Sequence, residues 1–141
     1  MPPLIEPDVR DPQDAIETLL RGPAVSVAEN ATLRSVAAVL TTANIGAALV
    51  RSKDASIGMV SERDIARAVA EGIDPNHRWS ADVSSAELVT ADARDRILQV
   101  AFRMLQEHIR HIALERDGEV IGVVSSRDVF AVLAEHALAM F

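Results

Sequence analysis

Gly58-Met59-Val60-Ser61-Glu62-Arg63-Asp64 recurs as Gly122-Val123-Val124-Ser125-Ser126-Arg127-Asp128, 64 residues further along the chain. Repetition at a fixed offset is the signature of a duplicated structural unit. Held without gaps, the offset lays residues 25–72 over 89–136 and matches Val25 with Val89, Val36 with Val100, Ile45 with Ile109 and Ala70 with Ala134. Apolar positions that differ are mostly conservative, as in Leu33/Ile97, Leu40/Met104 and Ile65/Val129. Two copies of one unit fill almost the whole chain.

Each copy reads in the same order. Leu33, Val36, Ala37 and Leu40 fall at the i, i+3, i+4, i+7 spacing of a helix with one buried face, and Ile97, Val100, Ala101 and Met104 repeat it. A short apolar run of strand length follows, at 47–50 and 112–114. Polar turns come next, and Asp117-Gly118 is a strong hairpin signal, so return strands are expected at 57–60 and 120–124. After Ser61 and Ser125 the period turns helical again through Ile65, Ala68 and Val69, then Val129, Val132 and Leu133. With opening strands near 24–27 and 88–91, each unit is strand–helix–strand–strand–helix. The expected architecture is α/β (α+β): two pseudo-twofold-related units, each a small three-stranded sheet flanked by two helices. Roughly 50 residues bury too little apolar surface to be stable alone, so the two units should pack on each other. The expected boundaries are an extension over 1–15, a first domain over 16–72, a connection over 73–82, a second domain over 83–136 and a helix end over 137–141. Asp11-Pro12 followed by Ala15, Ile16, Leu19 and Leu20 reads as a short helix stopped by Gly22-Pro23.

Composition narrows the function. The 141 residues contain no cysteine, which excludes disulfides, Cys-ligated metals and thiol catalysis. Aromatics are 3% of the chain, so the core must be made of small aliphatic side chains. Fourteen Lys+Arg against 21 Asp+Glu give a net charge of −7, which argues against a nucleic-acid partner held through phosphates. No signal-peptide pattern opens the chain, and the longest uncharged run, between Arg34 and Arg51, is too short and too polar to span a membrane. The sequence is read as cytoplasmic with no membrane association.

Catalysis has little to stand on. There is no tyrosine, Lys53 is the only lysine and sits in a turn, and no Ser-His-Asp order is evident. His108 and His111, with Glu107 and Glu115 nearby, invite a metal reading, yet His111 begins a strand and the two rings do not share a helix face. We expect no catalytic residue, no metal and no required cofactor. Trp79 reads as a plug between the domains.

A Gly-x-x-Ser-x-Arg-Asp sequence at the strand-to-helix junction of two tandem units resembles a pair of CBS domains, the Bateman module. The resemblance covers about residues 16–136, and residues 44–50 and 108–114 are also similar to the family's approach to its second strand. Departures stand at Ala113, where proline is frequent, and at Val83-Ser84. The resemblance implies an adenosine-type ligand (AMP, ADP, ATP or S-adenosylmethionine) in the cleft between the domains. The motif's Asp would bind the ribose hydroxyls, and its Ser would lie near sugar and phosphate. Carried onto matching positions, one site uses Ser26, Val27, Ala47, Ser61, Arg63 and Asp64. The other uses Thr90, Ala91, Ile112, Ser125, Arg127 and Asp128.

The residues admit two readings of that motif. At a helix start, unpaired N–H groups and the positive dipole end receive phosphate, and a carboxylate three residues on accepts ribose hydroxyls. Ser-x-x-Asp is equally a helix cap in which each residue bonds the other's backbone N–H. Arg110-His111 forms a basic pair that copy one replaces with Gly46-Ala47, so the two clefts are expected to be unequal, the one at Ser61 and Asp64 receiving the positive charge. Surplus apolar residues at Ile65/Val69, Val129/Val132 and the last helix suggest a homodimer, alongside an effector protein that the sequence does not identify. The alternative is a ligand-free dimerisation or docking module.

Overall fold

The computed structural model describes residues 10–85 and 87–140; the start of the expected extension (residues 1–9), Ala86 and Phe141 lie outside them. Strands β1 (Ser26–Ala28), β2 (Ala47–Arg51) and β3 (Ile57–Ser61) form one sheet in that order. Strands β4 (Thr90–Asp92), β5 (His111–Arg116) and β6 (Glu119–Ser125) form the second. In each sheet the first pair is parallel and the second antiparallel. Helices α1 (Leu33–Ala43) and α2 (Glu62–Ala70) belong to the first unit, α4 (Ile97–Glu107) and α5 (Ser126–Ala139) to the second, and a single turn, α3 (Ser80–Val83), lies between them. The mixed α/β class and the three-stranded sheets are as the repeat implies.

Local chemistry sets the element ends. The Thr32 side chain accepts a hydrogen bond from the Ser35 N–H at 3.1 Å and caps α1. Asn44 and His108, equivalent in the repeat, take left-handed backbone at φ 54 and end α1 and α4. The opening strands begin two residues later than expected. Pairing nevertheless reaches back to Val25 and Val89, whose carbonyls accept from Leu49 and Ala113 N–H. The segment read as an N-terminal helix is only a 3-10 turn over Ile16–Leu19.

The units exchange their lead-in segments. Ile16 and Glu17 lie at the start of the first unit, ahead of its first strand, yet their N–H groups donate to the Asp95 and Ala93 carbonyls of the second, at 2.7 and 3.1 Å. Ile97 N–H returns a bond to the Asp14 carbonyl. The same set recurs at the repeat offset. Ser80 and Ala81 donate to Ala31 and Glu29 of the first unit, and Leu33 N–H donates to the Arg78 carbonyl. Ile16 and Ser80 occupy equivalent seats and are both fully buried. Ile16 packs with Ile97, Ile112, Leu114 and Val129 in the second unit's core. Ser80 instead satisfies its hydroxyl on the Ala28 and Glu29 carbonyls, at 2.6 and 3.0 Å. The first unit's core is a separate cluster of Val27, Val36, Leu40, Ala48, Val50 and Val60.

This exchange explains the glycine of the repeated motif. A Cβ on Gly58 would lie 2.9 Å from the Ser85 carbonyl oxygen, and one on Gly122 would lie 2.5 Å from Leu20 Cδ2. At Gly58 the obstacle is backbone, so only glycine lets the lead-in run over β3; at Gly122 it is the end of the Leu20 side chain, which would have to shift. Ser85 then pairs with Met59 through two backbone hydrogen bonds, at 2.9 and 3.4 Å.

Ile16 therefore stabilises the unit to which it does not belong in sequence. Ile16→Ala is expected to cost about 2–5 kcal/mol in denaturant unfolding. Hydrogen exchange should show lost protection in β4–β6 and α4 before β1–β3. Loss confined to the first unit would contradict the exchange.

Candidate functional site

Both copies of the motif fold as reciprocal helix caps. In the first, Asp64 Oδ2 accepts from Ser61 N–H at 2.8 Å, and Ser61 Oγ accepts from Asp64 N–H at 3.3 Å. In the second, the same bonds between Ser125 and Asp128 are 3.0 and 3.2 Å. The capping reading of Ser-x-x-Asp is thus realised at both sites. It engages one carboxylate oxygen. Asp64 Oδ1 is left 3.7 Å from the exposed Arg67 guanidinium, so cap and ligand roles do not compete for the same atom.

The α2 cap borders a cavity of about 230 Å³ between the units. Ser61, Arg63 and Asp64 stand on one side of it, and Arg110 and His111 on the other. Five of the residues singled out from sequence are therefore brought together. Met59, Ser85, Leu88, Val89, His108 and Ile109 also line it, together with Glu62 and Glu87. Of these only His108 was singled out from the sequence. The cavity draws on the segment leading into β4, because the exchange carries that segment across β3.

The remaining candidates are placed elsewhere. Val27, Ala47, Ala91 and Ile112 have buried side chains, and Ser26 is exposed at the start of β1. Thr90 is half-buried, its carbonyl accepting from the Arg103 guanidinium. Ser125, Arg127 and Asp128 lie at the start of α5. Trp79 does not plug the domain gap: it is 53% exposed and bridges to Thr32 within the first unit. The buried residue here is the neighbouring Ser80, whose hydroxyl is satisfied by the Ala28 and Glu29 carbonyls.

His111 crosses between the units. A Cβ on Gly46 would lie 2.8 Å from His111 Nε2 and 3.4 Å from Glu62 Oε1. The first unit's glycine therefore makes room for the second unit's imidazole. Burial holds the His111 pKa below its ordinary 6.5, partly offset by attraction to Glu62, Asp128 and Asp64 and reinforced by Arg110. At neutral pH the ring is neutral, and the cavity's positive charge comes from Arg63 and Arg110. His108 is the left-handed residue ending α4, and the described residues hold no group of three or more metal-ligating side chains.

Two repeated α/β units with a cavity between them define a tandem two-domain module, and the family comparison agrees. The CBS domain model matches residues 14–71 and 80–135, so the chain belongs to the CBS domain family as a tandem pair. Hypoxic response protein 1 of Mycobacterium tuberculosis is 27% identical over 117 residues, 82% of each chain. The structure of CBS domain protein PAE2072 from Pyrobaculum aerophilum, complexed with AMP, is 34% identical. It has a TM-score of 0.76 and covers 88% of this chain and 98% of that one. The CBS domain pair of protein MJ0100, complexed with 5′-methylthioadenosine and S-adenosyl-L-methionine, shares the fold at 21% identity and TM-score 0.76, over 86% and 97% of the two chains. The chain spans 43% of a longer Methanocaldococcus jannaschii relative. No helix among the described residues is long and apolar enough to cross a membrane.

The depressed His111 pKa has a signed consequence. Well above pH 6.5 the ring is neutral both folded and unfolded, and its contribution is constant. Below that value the unfolded ring takes up a proton that the folded ring resists, so stability falls until the folded pKa is passed. His111→Gln should flatten the loss of stability below pH 6.5 relative to wild type in urea unfolding. Parallel curves for the two proteins would remove His111 from the account.

Proposed function

We infer that this CBS pair is a cytoplasmic, non-catalytic sensor that binds an adenosyl ligand in the cleft between its domains and reports occupancy to an effector protein. The carrying observation is the cavity that sets the capped start of α2 against Arg110 and His111. The start of α2 offers positive dipole, and Asp64 Oδ1 offers a ribose acceptor. Arg63 and Arg110 offer charge for a phosphate beside Glu62 and Glu87, in a chain of net charge −7. The likeness to an AMP-bound CBS protein at 34% identity supports the ligand class. A ligand touching both walls favours one domain arrangement over others, which is how occupancy becomes a signal.

The two clefts are unequal in this reading. Facing Ser125 and Asp128, the repeat supplies Gly46 and Ala47 where the first cleft has Arg110 and His111. A phosphorylated nucleotide therefore prefers the Ser61/Asp64 cleft. Titration calorimetry with AMP, ADP, ATP and S-adenosylmethionine tests this. Arg110→Ala should weaken AMP by about 10- to 150-fold, the value of one charge-assisted hydrogen bond, and leave adenosine nearly unchanged. Two equal AMP sites in the wild type would defeat the preference.

Asp64→Asn separates ligand from cap. The amide oxygen still accepts from Ser61 N–H, so stability should hold, whereas Asp64→Ala should lose about 1 kcal/mol. Both should lose AMP affinity. Normal AMP binding by both variants would leave Asp64 as a cap alone.

The docking reading keeps an observation of its own. Phe102, Leu105 and Phe130 are more than half exposed on the second unit. Val129 and Val132, taken from sequence as surplus surface, are instead buried in their own core. The apolar face is real but belongs to neighbouring helical positions. We propose that it carries the homodimer. Failure of every adenosyl ligand to raise the melting temperature would leave docking as the sole role.

A further inference from the structure

The charged side chains that line the cleft do not balance a phosphate. Arg63 and Arg110 supply two positive charges, while Glu62, Asp64 and Glu87 supply three negative ones. Before any imidazole is protonated, the wall therefore carries a net charge of −1. A phosphate monoester brings about −1.5 to −2 more at neutral pH. Arginine stays protonated throughout, so its charge is fixed. What can change is an imidazole.

His111 is placed to do so. It opens β5 opposite Ser125 of β6, and its half-buried ring reaches the first unit, where the missing side chain of Gly46 leaves room for Nε2. Burial keeps the ring neutral at neutral pH. Glu62 and Asp64 of α2 and Asp128 of α5 pull the other way, and Arg110, its chain neighbour, adds to the effect of burial. Three carboxylates thus already favour imidazolium, held off by desolvation and one guanidinium. A phosphate set on the start of α2 and on Arg110 offsets that guanidinium and adds to the attraction. The imidazolium then donates a charge-assisted hydrogen bond to the phosphate. His108 lines the same cavity from the end of α4. In the other copy the position of His111 is Ala47, so the cleft at Ser125 and Asp128 has no equivalent group.

We propose that a phosphorylated adenosyl ligand enters the Ser61/Asp64 cleft together with one proton, taken from solvent onto the free ring nitrogen of His111, so that nucleotide affinity rises as pH falls. The linkage rests on the ligand reading above and adds to it a response to acidity. Its sign follows from the site. Imidazolium is favoured more in the complex than in the free protein, so protons promote binding and nucleotide promotes protonation by the same factor.

Titration calorimetry of the full chain with AMP, in buffers of unlike ionisation enthalpy, counts the protons taken up. The phosphate of AMP itself titrates near about pH 6, so the reading is the difference between wild type and His111→Gln. Wild type should take up more protons than the variant. Its AMP affinity should also rise about fivefold more than the variant's from about pH 8 to about pH 6.5. His108→Gln should behave as wild type, and adenosine, which brings no charge, should bind without the uptake. Circular dichroism checks folding. Should His111→Gln unfold, the assigned ring resonances of His111 in the wild type decide, since their titration midpoint should move to higher pH on saturation with AMP. Equal uptake by wild type and His111→Gln, uptake lost in His108→Gln instead, or a His111 midpoint unmoved by AMP would overturn the linkage and leave the ligand reading standing. No AMP binding at any pH would overturn both.

Discussion

Each unit is closed by a segment of chain that leads into the other unit's first strand. A domain of roughly 50–60 residues removes only about 60% of its surface from water on folding, which leaves it marginal. Here the missing wall comes from outside. Ile16 enters the second core, and Ser80 bonds across the first, each through the same set of backbone hydrogen bonds. Neither unit is complete without the other, so pairing of the domains is part of the folding itself. The cleft inherits this. Its walls meet where Ser85 pairs with Met59, and a ligand there is held between elements already tied by hydrogen bonds.

The same constraint governs which residues are free to differ between copies. Gly58 and Gly122 both remain glycine, since a lead-in lies within 3 Å of either missing Cβ. Gly46 has a different reason. Its equivalent is Arg110, and the missing side chain is what admits His111. One crossing is thus symmetric and structural, while the other breaks the symmetry and sets the character of a cleft.

The repeat, both sheets and the four long helices were legible because they rest on side-chain periodicity and turn chemistry. The exchange was not. It is carried by backbone N–H and carbonyl groups, and its two equivalent seats hold isoleucine and serine, a pair that no similarity scale relates. For that reason the contribution of Leu88 and Val89 to the cleft was missed, while Ser61, Arg63 and Asp64, in the repeated motif, and Arg110 and His111, where the two copies differ, were singled out. Helical spacing likewise showed that α5 is apolar on more than one face without showing which face is covered. Val129 and Val132 turn inward, and Phe130 between them turns out.

Departures from symmetry accumulate on one side of the molecule. His111 replaces Ala47, Arg110 replaces Gly46, and Leu98, Phe102, Leu105 and Phe130 replace Arg34, Ala38, Thr41 and Ala66. Duplication alone would give two similar clefts and two similar faces. Exposed charges beyond about 8 Å are largely screened at physiological salt, so the net charge of −7 matters less inside the cleft than Arg63 and Arg110 on its wall. Those two arginines also stand on a groove of the apolar face. Both kinds of asymmetry therefore meet at one place, where a small change in charge within the cleft lies against the largest exposed apolar side chains of the second unit. Under the proposed sensor function, a signal generated there needs no long path through the protein, because the same residues form the wall of the cleft and the edge of the surface beside it.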